Sequence, residues 1–120
     1  MNDQSIEQEI QDKGLTAPRV TPADIEANIR SEWCFTAQDG VNGESLSAVP
    51  LSTPEALSLL TFCVLHLQNG FTVTGESACA SPENFDAELG KKIARQNAVA
   101  KIWPLMGYEL RSKLSAHVVE

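Results

Sequence analysis

The chain has 120 residues, 42% of them hydrophobic, which suffices for one small domain with a modest core. The 16 acidic residues outnumber the 9 basic ones and give a net charge of −7, and no Lys/Arg block is present that would follow a phosphate backbone. This composition argues against nucleic-acid binding. The small core predicts a homo-oligomer, because association buries further apolar surface.

Cysteine usage and the N-terminal sequence indicate the compartment. Cys34, Cys63 and Cys79 form an odd set without a C-x-x-C pair, and neither histidine stands at metal-ligand spacing from one of them. The opening MNDQSIEQEIQDKG is polar and acidic, unlike a signal peptide, and no apolar run reaches membrane-spanning length. We expect a soluble intracellular protein with no metal, cofactor or membrane partner.

The N-terminal third divides into an arm and the start of a domain. Residues 1–20 carry few large apolar side chains, which predicts a flexible acidic arm with at most one weak helix, ahead of a single domain at residues 21–120. Thr21-Pro22 is a helix start and predicts a helix over about residues 22–32. Its apolar stripe is expected at Ile25, Ile29 and Trp33.

The middle of the chain is rich in loop-forming residues. Trp33 to Thr36 favour a short strand, and the Gly-, Ser- and Pro-rich segment after it predicts a long loop over about residues 37–53. Long loops in compact domains are usually functional or mobile. Thr53-Pro54-Glu55 either starts a helical turn or leads into the next strand.

A β-hairpin is the clearest local prediction. Residues 60–68 and 71–78 are rich in β-branched and aromatic side chains and are joined by Asn69-Gly70. A two-residue turn with positive φ at both positions would pair Gln68 with Phe71 and His66 with Val73. Both faces are partly apolar, so we expect helices on one face and another cover, such as a partner subunit, on the other.

A long C-terminal helix is predicted after the hairpin. Ser81-Pro82-Glu83 is a cap, proline and acid sequence that starts a helix reaching about Trp103, and Gly90 within it indicates close packing on the hairpin. Pro104 predicts a kink or a break, with a second helical piece over Leu105 to Leu114. The apolar stripe is expected at Phe85, Leu89, Ile93 and Ile102 or Trp103. The fold class is therefore α+β, with a small antiparallel sheet, one N-terminal helix and C-terminal helices packed on the sheet.

Catalytic constellations are weak in this sequence. His66 lies within a strand with no acid or thiol spaced to orient it, and Glu83, Asp86 and Glu88 are ordinary dipole partners of a first helical turn. The familiar nucleotide-loop, nucleophile-elbow and zinc-protease spacings are absent from the sequence. We therefore expect a binding protein rather than an enzyme.

Six residues supply the mixture that a small-molecule site needs: aromatic walls, amides and cations. They are Asn84, Phe85, Arg95, Asn97, Tyr108 and Arg111. Each also has an ordinary structural interpretation, such as a core anchor for Phe85 or a solvated surface cation for Arg95. From composition alone both interpretations stay open.

The stretch from Phe62 to Leu110 combines an NGF turn, a GESAC strand end, a SPENFD cap, a KIARxNA helix and a KIWPLxGYxL tail. Together these elements resemble a family of small tailed-bacteriophage proteins catalogued by gene-product numbers 49 and 66. That family is identified as including the first-type Thoeris anti-defence proteins, which sequester cyclic ADP-ribose isomers made by bacterial TIR-domain enzymes. Some members also hold cyclic oligonucleotides.

The resemblance implies a sponge without catalysis in the cytoplasm of the infected bacterial host. Phe85 or Tyr108 would stack on adenine, and Asn84 or Asn97 would bond to ribose hydroxyls or a base edge. Arg95 and Arg111 would face the pyrophosphate. Such a site is expected between subunits or beneath a loop. The alternative is an acidic oligomer of the same fold that inhibits a host protein by direct contact.

Overall fold

A computed structural model describes residues 2–45 and 52–116. The elements in chain order are α1 (Asp3–Asp12), α2 (Pro22–Asn28), β1 (Ile29–Thr36), α3 (Ala37–Glu44), β2 (Leu60–Leu67), β3 (Thr72–Ala78) and α4 (Ala87–Ala116), with 3-10 turns at Glu55–Leu59 and Pro82–Asn84. The strands form one antiparallel sheet in the order β1-β2-β3, and α4 lies across one face. The predicted α+β class is confirmed.

The core lies between this sheet face and α4. Alternate residues of β2 point into it, as the two-residue period of a strand requires. The buried apolar residues are Ile25, Cys63, Leu65, Leu67, Val73, Ala94, Ala98 and Ile102. Val99, Trp103 and Met106 pack against its edge.

Small residues let α4 approach the sheet closely. Gly90, Ala94, Ala98 and Ile102 recur every four residues and form the buried stripe of the helix. Gly75 on β3 faces this stripe, and Gly90 lies against Thr61, where an added Cβ would be 3.2 Å from the hydroxyl oxygen. The close packing predicted at Gly90 is confirmed.

The predicted start of this helix was wrong, and its predicted apolar stripe is confirmed at Ile102, which is buried, but not at Leu89 and Ile93. Asp86, not Ser81, caps α4, since its Oδ1 accepts a hydrogen bond from the Leu89 N–H at 3.1 Å. Leu89 and Ile93 are 53% and 39% exposed, because only glycine and alanine fit against the sheet. The predicted break is not observed: α4 continues through Pro104 and ends at Ala116.

The hairpin has a three-residue loop, so the predicted register was wrong by one residue. The Leu67 N–H donates to the Phe71 oxygen, and Leu65 pairs with Val73. Only Gly70 has positive φ, at 90°, as expected of a type I turn followed by a left-handed residue. The shift places Leu65 and Val73 on one face, and both are buried there.

Two predictions for the region before β2 were also wrong. The helix predicted over 22–32 ends at Asn28, because the β-branched and aromatic residues after it pair with β2 as β1. The loop predicted over 37–53 contains α3 instead, which Thr36 and Asp39 start with a capping box. Residues 46–51 of that loop lie outside the described residues. Of the two alternatives left open near residue 55, the structure has the helical turn, at Glu55–Leu59.

Most of the first half of the predicted N-terminal arm is helical. An Asn2–Ser5 capping box starts α1, which reaches Asp12. The helix has no buried residue, and polar contacts join it to the domain. Asp3 accepts a hydrogen bond from the Trp103 indole at 3.1 Å, and Glu7 forms a two-bond ion pair with Arg19. This pairing lowers the pKa of Glu7 to about 2.

Candidate functional site

A cavity of about 210 Å³ lies beside the N-terminal end of α4. Two of the six sequence-predicted ligand residues, Asn84 and Phe85, line it together with Asp86. The 3-10 turn and the Asp86 cap place them there, because the chain runs from β3 across the end of the helix. The other lining residues are mainly apolar: Leu59, Ser77, Ala78, Cys79, Leu89, Gly90 and Ile93. The cavity thus offers an apolar wall with an amide at its rim.

An exposed stripe on α4 carries three more of the predicted residues. Positions three or four residues apart share one side of a helix. The exposed positions on one such side, which flanks the buried stripe along the β3 edge of the sheet, are Leu89, Ile93, Asn97, Ala100, Pro104, Tyr108 and Arg111, which we name the outer stripe. All seven residues are exposed, and Tyr108 is 79% exposed.

One chain does not bring the predicted residues together. Tyr108 lies 21 residues beyond Ala87, the first residue of α4, which is about 30 Å along the helix axis. Phe85 therefore lies at one end of the helix, whereas Tyr108 and Arg111 lie near the other. A ligand of dinucleotide size cannot bridge this distance within a single copy.

Asn97 has a structural contact of its own. Its Nδ2 donates a hydrogen bond to the backbone oxygen of Glu76 at 2.8 Å. Glu76 belongs to β3, an edge strand of the sheet. The Asn97 side chain thus links α4 to a backbone oxygen of β3, and it remains exposed to solvent.

Arg95 points to the opposite side and is occupied by carboxylates. Its guanidinium bonds bidentately to Glu26 on α2, at 2.8 and 3.1 Å, and its Nε bonds to Glu32 on β1 at 2.9 Å. The hydrogen bonds that Arg95 donates to Glu26 lower the pKa of Glu26 and raise the pKa of Arg95. Sequence reasoning missed this network, because the three residues are distant along the chain.

The charged residues of α4 separate by sign. Glu83, Asp86 and Glu88 lie at or just before its N-terminal end, and Arg111 and Lys113 lie near its C-terminal end. Lys113 pairs with Glu109 at 3.4 Å, and Arg111 forms no ion pair with any described residue. Arg111 is therefore the one predicted cation that the described part of the chain leaves available.

The sheet face opposite α4 carries aromatic residues that sequence reasoning did not single out. Trp33 is 66% exposed there, and its indole N–H donates to the Ser31 hydroxyl at 3.3 Å. That hydroxyl lies 3.2 Å from Nδ1 of His66 on the next strand. The alternation of side chains along a strand could have indicated this cluster, because Trp33 and His66 fall on the same face of the sheet once the register is known.

The chain matches the profile of a known protein family. The profile of the phage protein (N4 Gp49/phage Sf6 gene 66) family matches residues 20–114, which is well over half of the sequence. The chain belongs to this phage protein family. The matched part of this N4 Gp49/Sf6 gene 66 family member includes the sheet and nearly all of α4, whereas α1 precedes it. No curated protein and no solved structure matches the chain.

In residues 2–45 and 52–116, no helix combines the length and apolar character needed to cross a membrane. The same residues contain no group of three or more His, Cys, Asp or Glu side chains arranged to hold a metal ion.

Proposed function

We propose that this phage protein binds a cyclic ADP-ribose isomer or a related cyclic nucleotide signal and holds it without cleavage. The site is shared by two copies of the chain. One observation carries the proposal: Asn84 and Phe85 line a cavity at one end of α4, whereas Tyr108 and Arg111 lie exposed about 30 Å away near the other end. A second copy running antiparallel brings the two ends together.

An antiparallel two-fold pairing of the outer stripes satisfies this requirement. It places Phe85 of one copy beside Arg111 of the second and Leu89 beside Tyr108. Ile93 then packs beside Pro104, and Asn97 lies beside Ala100 at the centre of the contact. A two-fold interface uses the same surface on both copies, so each pairing occurs twice. The exposed apolar side chains of the stripe are thereby buried.

Charge supports the same pairing. Antiparallel helices place the acidic residues Glu83 and Glu88 opposite Arg111 and Lys113 of the second copy at both ends. The arrangement also agrees with the macrodipoles, since the positive end of each helix meets the negative end of the other. Parallel pairing would place like charges together.

The ligand roles follow from the chemistry of the shared cavity. An adenine base fits between Phe85 of one copy and Tyr108 of the second, stacked on both rings. Arg111 provides the cation for a pyrophosphate, because Arg95 is occupied by Glu26 and Glu32. Asn84 supplies an amide for ribose hydroxyls. Nanomolar affinity corresponds to about −12 kcal/mol, which calls for such an enclosed site.

The first experiment identifies the ligand. The purified protein is mixed with a panel of cyclic ADP-ribose isomers and cyclic oligonucleotides, separated from free ligand and heat-denatured, and the released compound is analysed by mass spectrometry. Release of an intact cyclic nucleotide is the expected result. Release of a cleaved product would identify an enzyme, and release of nothing would favour the alternative of an inhibitor acting on a host protein by direct contact.

A mixing experiment tests whether two copies share the site. Phe85→Ala and Arg111→Ala should each abolish binding, because each removes one half of both sites in a dimer. A heterodimer of the two variants keeps one site with wild-type Phe85 and wild-type Arg111, so binding should return at half the stoichiometry. Lys92→Ala is the matched control, since Lys92 is an exposed cation of α4 that is not part of the outer stripe. A mixture that stays inactive would contradict a shared site.

A further inference from the structure

The outer edge of β1 is open in the described part of the chain. The sheet order is β1-β2-β3, so β1 has a neighbouring strand on one side only. At the other edge of the sheet, the Asn97 side chain bonds to the backbone of β3. An eight-residue strand with an unpaired row of backbone groups is a template for another strand.

The backbone groups that face this edge can be identified from the hydrogen-bond alternation. The Leu67 N–H donates to the Phe71 oxygen, and the Cys79 N–H donates to the Leu59 oxygen. The backbone N–H and C=O groups of odd-numbered residues in β2 therefore point toward β3. The backbone groups of even-numbered residues in β2 then point toward β1, where Val64 pairs with Trp33 and Phe62 with Phe35. The N–H and C=O groups of Glu32 and Cys34 consequently point away from the sheet.

We propose that β1 pairs antiparallel with β1 of a second copy, with Glu32 of each chain opposite Cys34 of the other, to give a continuous six-stranded sheet. This contact uses a different surface from the outer stripe of α4 and does not depend on the proposed ligand. The pairing forms four hydrogen bonds, because both residues present one donor and one acceptor in each chain.

The two neighbouring registers are disfavoured. A shift of the axis toward residue 32 would place Glu32 directly opposite its own copy, and like charges in that position are destabilising. A shift toward residue 34 would require the Thr36 N–H, which already donates to Asp39 Oδ2 at 3.0 Å to start α3. Only the register centred on Trp33 uses available groups and avoids facing carboxylates.

The side chains on the open sheet face fit this register. Trp33, which is 66% exposed, comes to lie opposite Trp33 of the second copy. The two Trp33 residues form a non-hydrogen-bonded pair, the type in which facing side chains approach most closely. Pairs of aromatic residues across strands stabilise a sheet, and the contact removes the most exposed aromatic ring of the strand from water.

Amide hydrogen exchange on the ligand-free full-length protein tests the pairing directly. We expect the Glu32 and Cys34 amides to exchange at least about tenfold more slowly as protein concentration rises, because only the assembled state protects them. Fast exchange of both amides at every concentration would overturn the proposal. Because no ligand is added, this result is independent of whether the protein binds a nucleotide.

Two substitutions at Glu32 provide a matched pair for sedimentation velocity. Glu32→Pro removes the outward N–H, which a free edge tolerates, whereas Glu32→Ala removes the same carboxylate and keeps the N–H. We expect the assembly mass to halve for Glu32→Pro and to remain unchanged for Glu32→Ala. Trp33→Lys should also halve the mass, and Thr74→Lys, on the same face of β3, should not. Equal masses for Glu32→Pro and Glu32→Ala would contradict strand pairing.

Discussion

Gly75 on β3 lies directly against Ala94 of α4: a Cβ atom on Gly75 would come within 2.1 Å of the Ala94 carbonyl oxygen. The same atom would lie 2.3 Å from the backbone nitrogen of Ala98. Both contacts are with backbone, which cannot rotate away as a side chain can. The distance between the helix and the sheet is therefore set by the absence of one methyl group.

We predict that Gly75→Ala lowers the free energy of unfolding by about 3 kcal/mol, at the upper end of overpacking costs, because α4 must move off the sheet. Chemical denaturation measures the change. Gly107→Ala is the control, since no atom lies within 4 Å of its added Cβ and the position is helical. That variant should gain about 0.5–1 kcal/mol. A Gly75→Ala protein as stable as wild type would contradict the close packing.

Arg95 should matter for stability, whatever its role toward a ligand. Arg95→Gln should lower the free energy of unfolding by about 1 kcal/mol, since the ion pairs with Glu26 and Glu32 are partly exposed. Because the pKa of Glu26 is lowered in the folded state, this contribution is present at neutral pH and is lost as pH falls through that lowered pKa. Wild type and variant should therefore converge in acid. Lys92→Gln, an exposed cation on the same helix, should match wild type throughout.

The contact between α1 and the domain should survive mild acid. The pKa of Glu7 is about 2 in the folded state, against an ordinary value of 4.5, because Arg19 donates two hydrogen bonds to it. Its stabilising effect is complete above the ordinary value and is lost as pH falls through about 2. Trp103 fluorescence should report the release of α1, because Asp3 bonds to that indole. In Arg19→Gln the ion pair is absent at every pH, so Trp103 fluorescence should already indicate released α1 at neutral pH, and a profile identical to that of wild type would contradict the assignment.

The hairpin loop should tolerate change at Asn69 better than at Gly70. Gly70→Ala should cost about 1–2 kcal/mol, because its φ of 90° disfavours any side chain. Asn69 has no positive φ, so Asn69→Ala loses mainly the 2.9 Å hydrogen bond from the Phe71 N–H, about 1 kcal/mol or less. Thermal unfolding of both variants distinguishes a three-residue loop from the two-residue turn suggested by the sequence. Equal costs would favour the latter.

Local signals in the sequence were sufficient for the fold class, and long-range contacts decided the details. The strands of the hairpin and the long C-terminal helix follow from side-chain type and spacing, and both were predicted. The register was not, because Asn-Gly is compatible with two- and three-residue loops that differ by one position. Burial of Leu65 beside Val73 selects the longer loop.

The candidate site was predictable as a set of residue types and not as a place. Asn84 and Phe85 lie at a cavity, as a ligand role requires, but Arg95 is held by two carboxylates from elements remote in sequence. Leu89 and Ile93 were predicted to be core residues because apolar spacing indicates a buried face. In the first half of this helix the buried face consists of Gly90, Ala94 and Ala98, which carry little hydrophobic signal.

Pro104 leaves a mark on α4 even though the helix continues past it. A proline has no N–H, so the carbonyl of Ala100, four residues earlier, has no intrahelical donor. Both residues are exposed on the outer stripe. The long helix is thus two hydrogen-bonded cylinders joined at one weakened turn: the first is fixed to the sheet through Ala98, and the second carries Tyr108 and Arg111. A force on Arg111 therefore bends the helix at this turn first, and the segment packed on the sheet keeps its position.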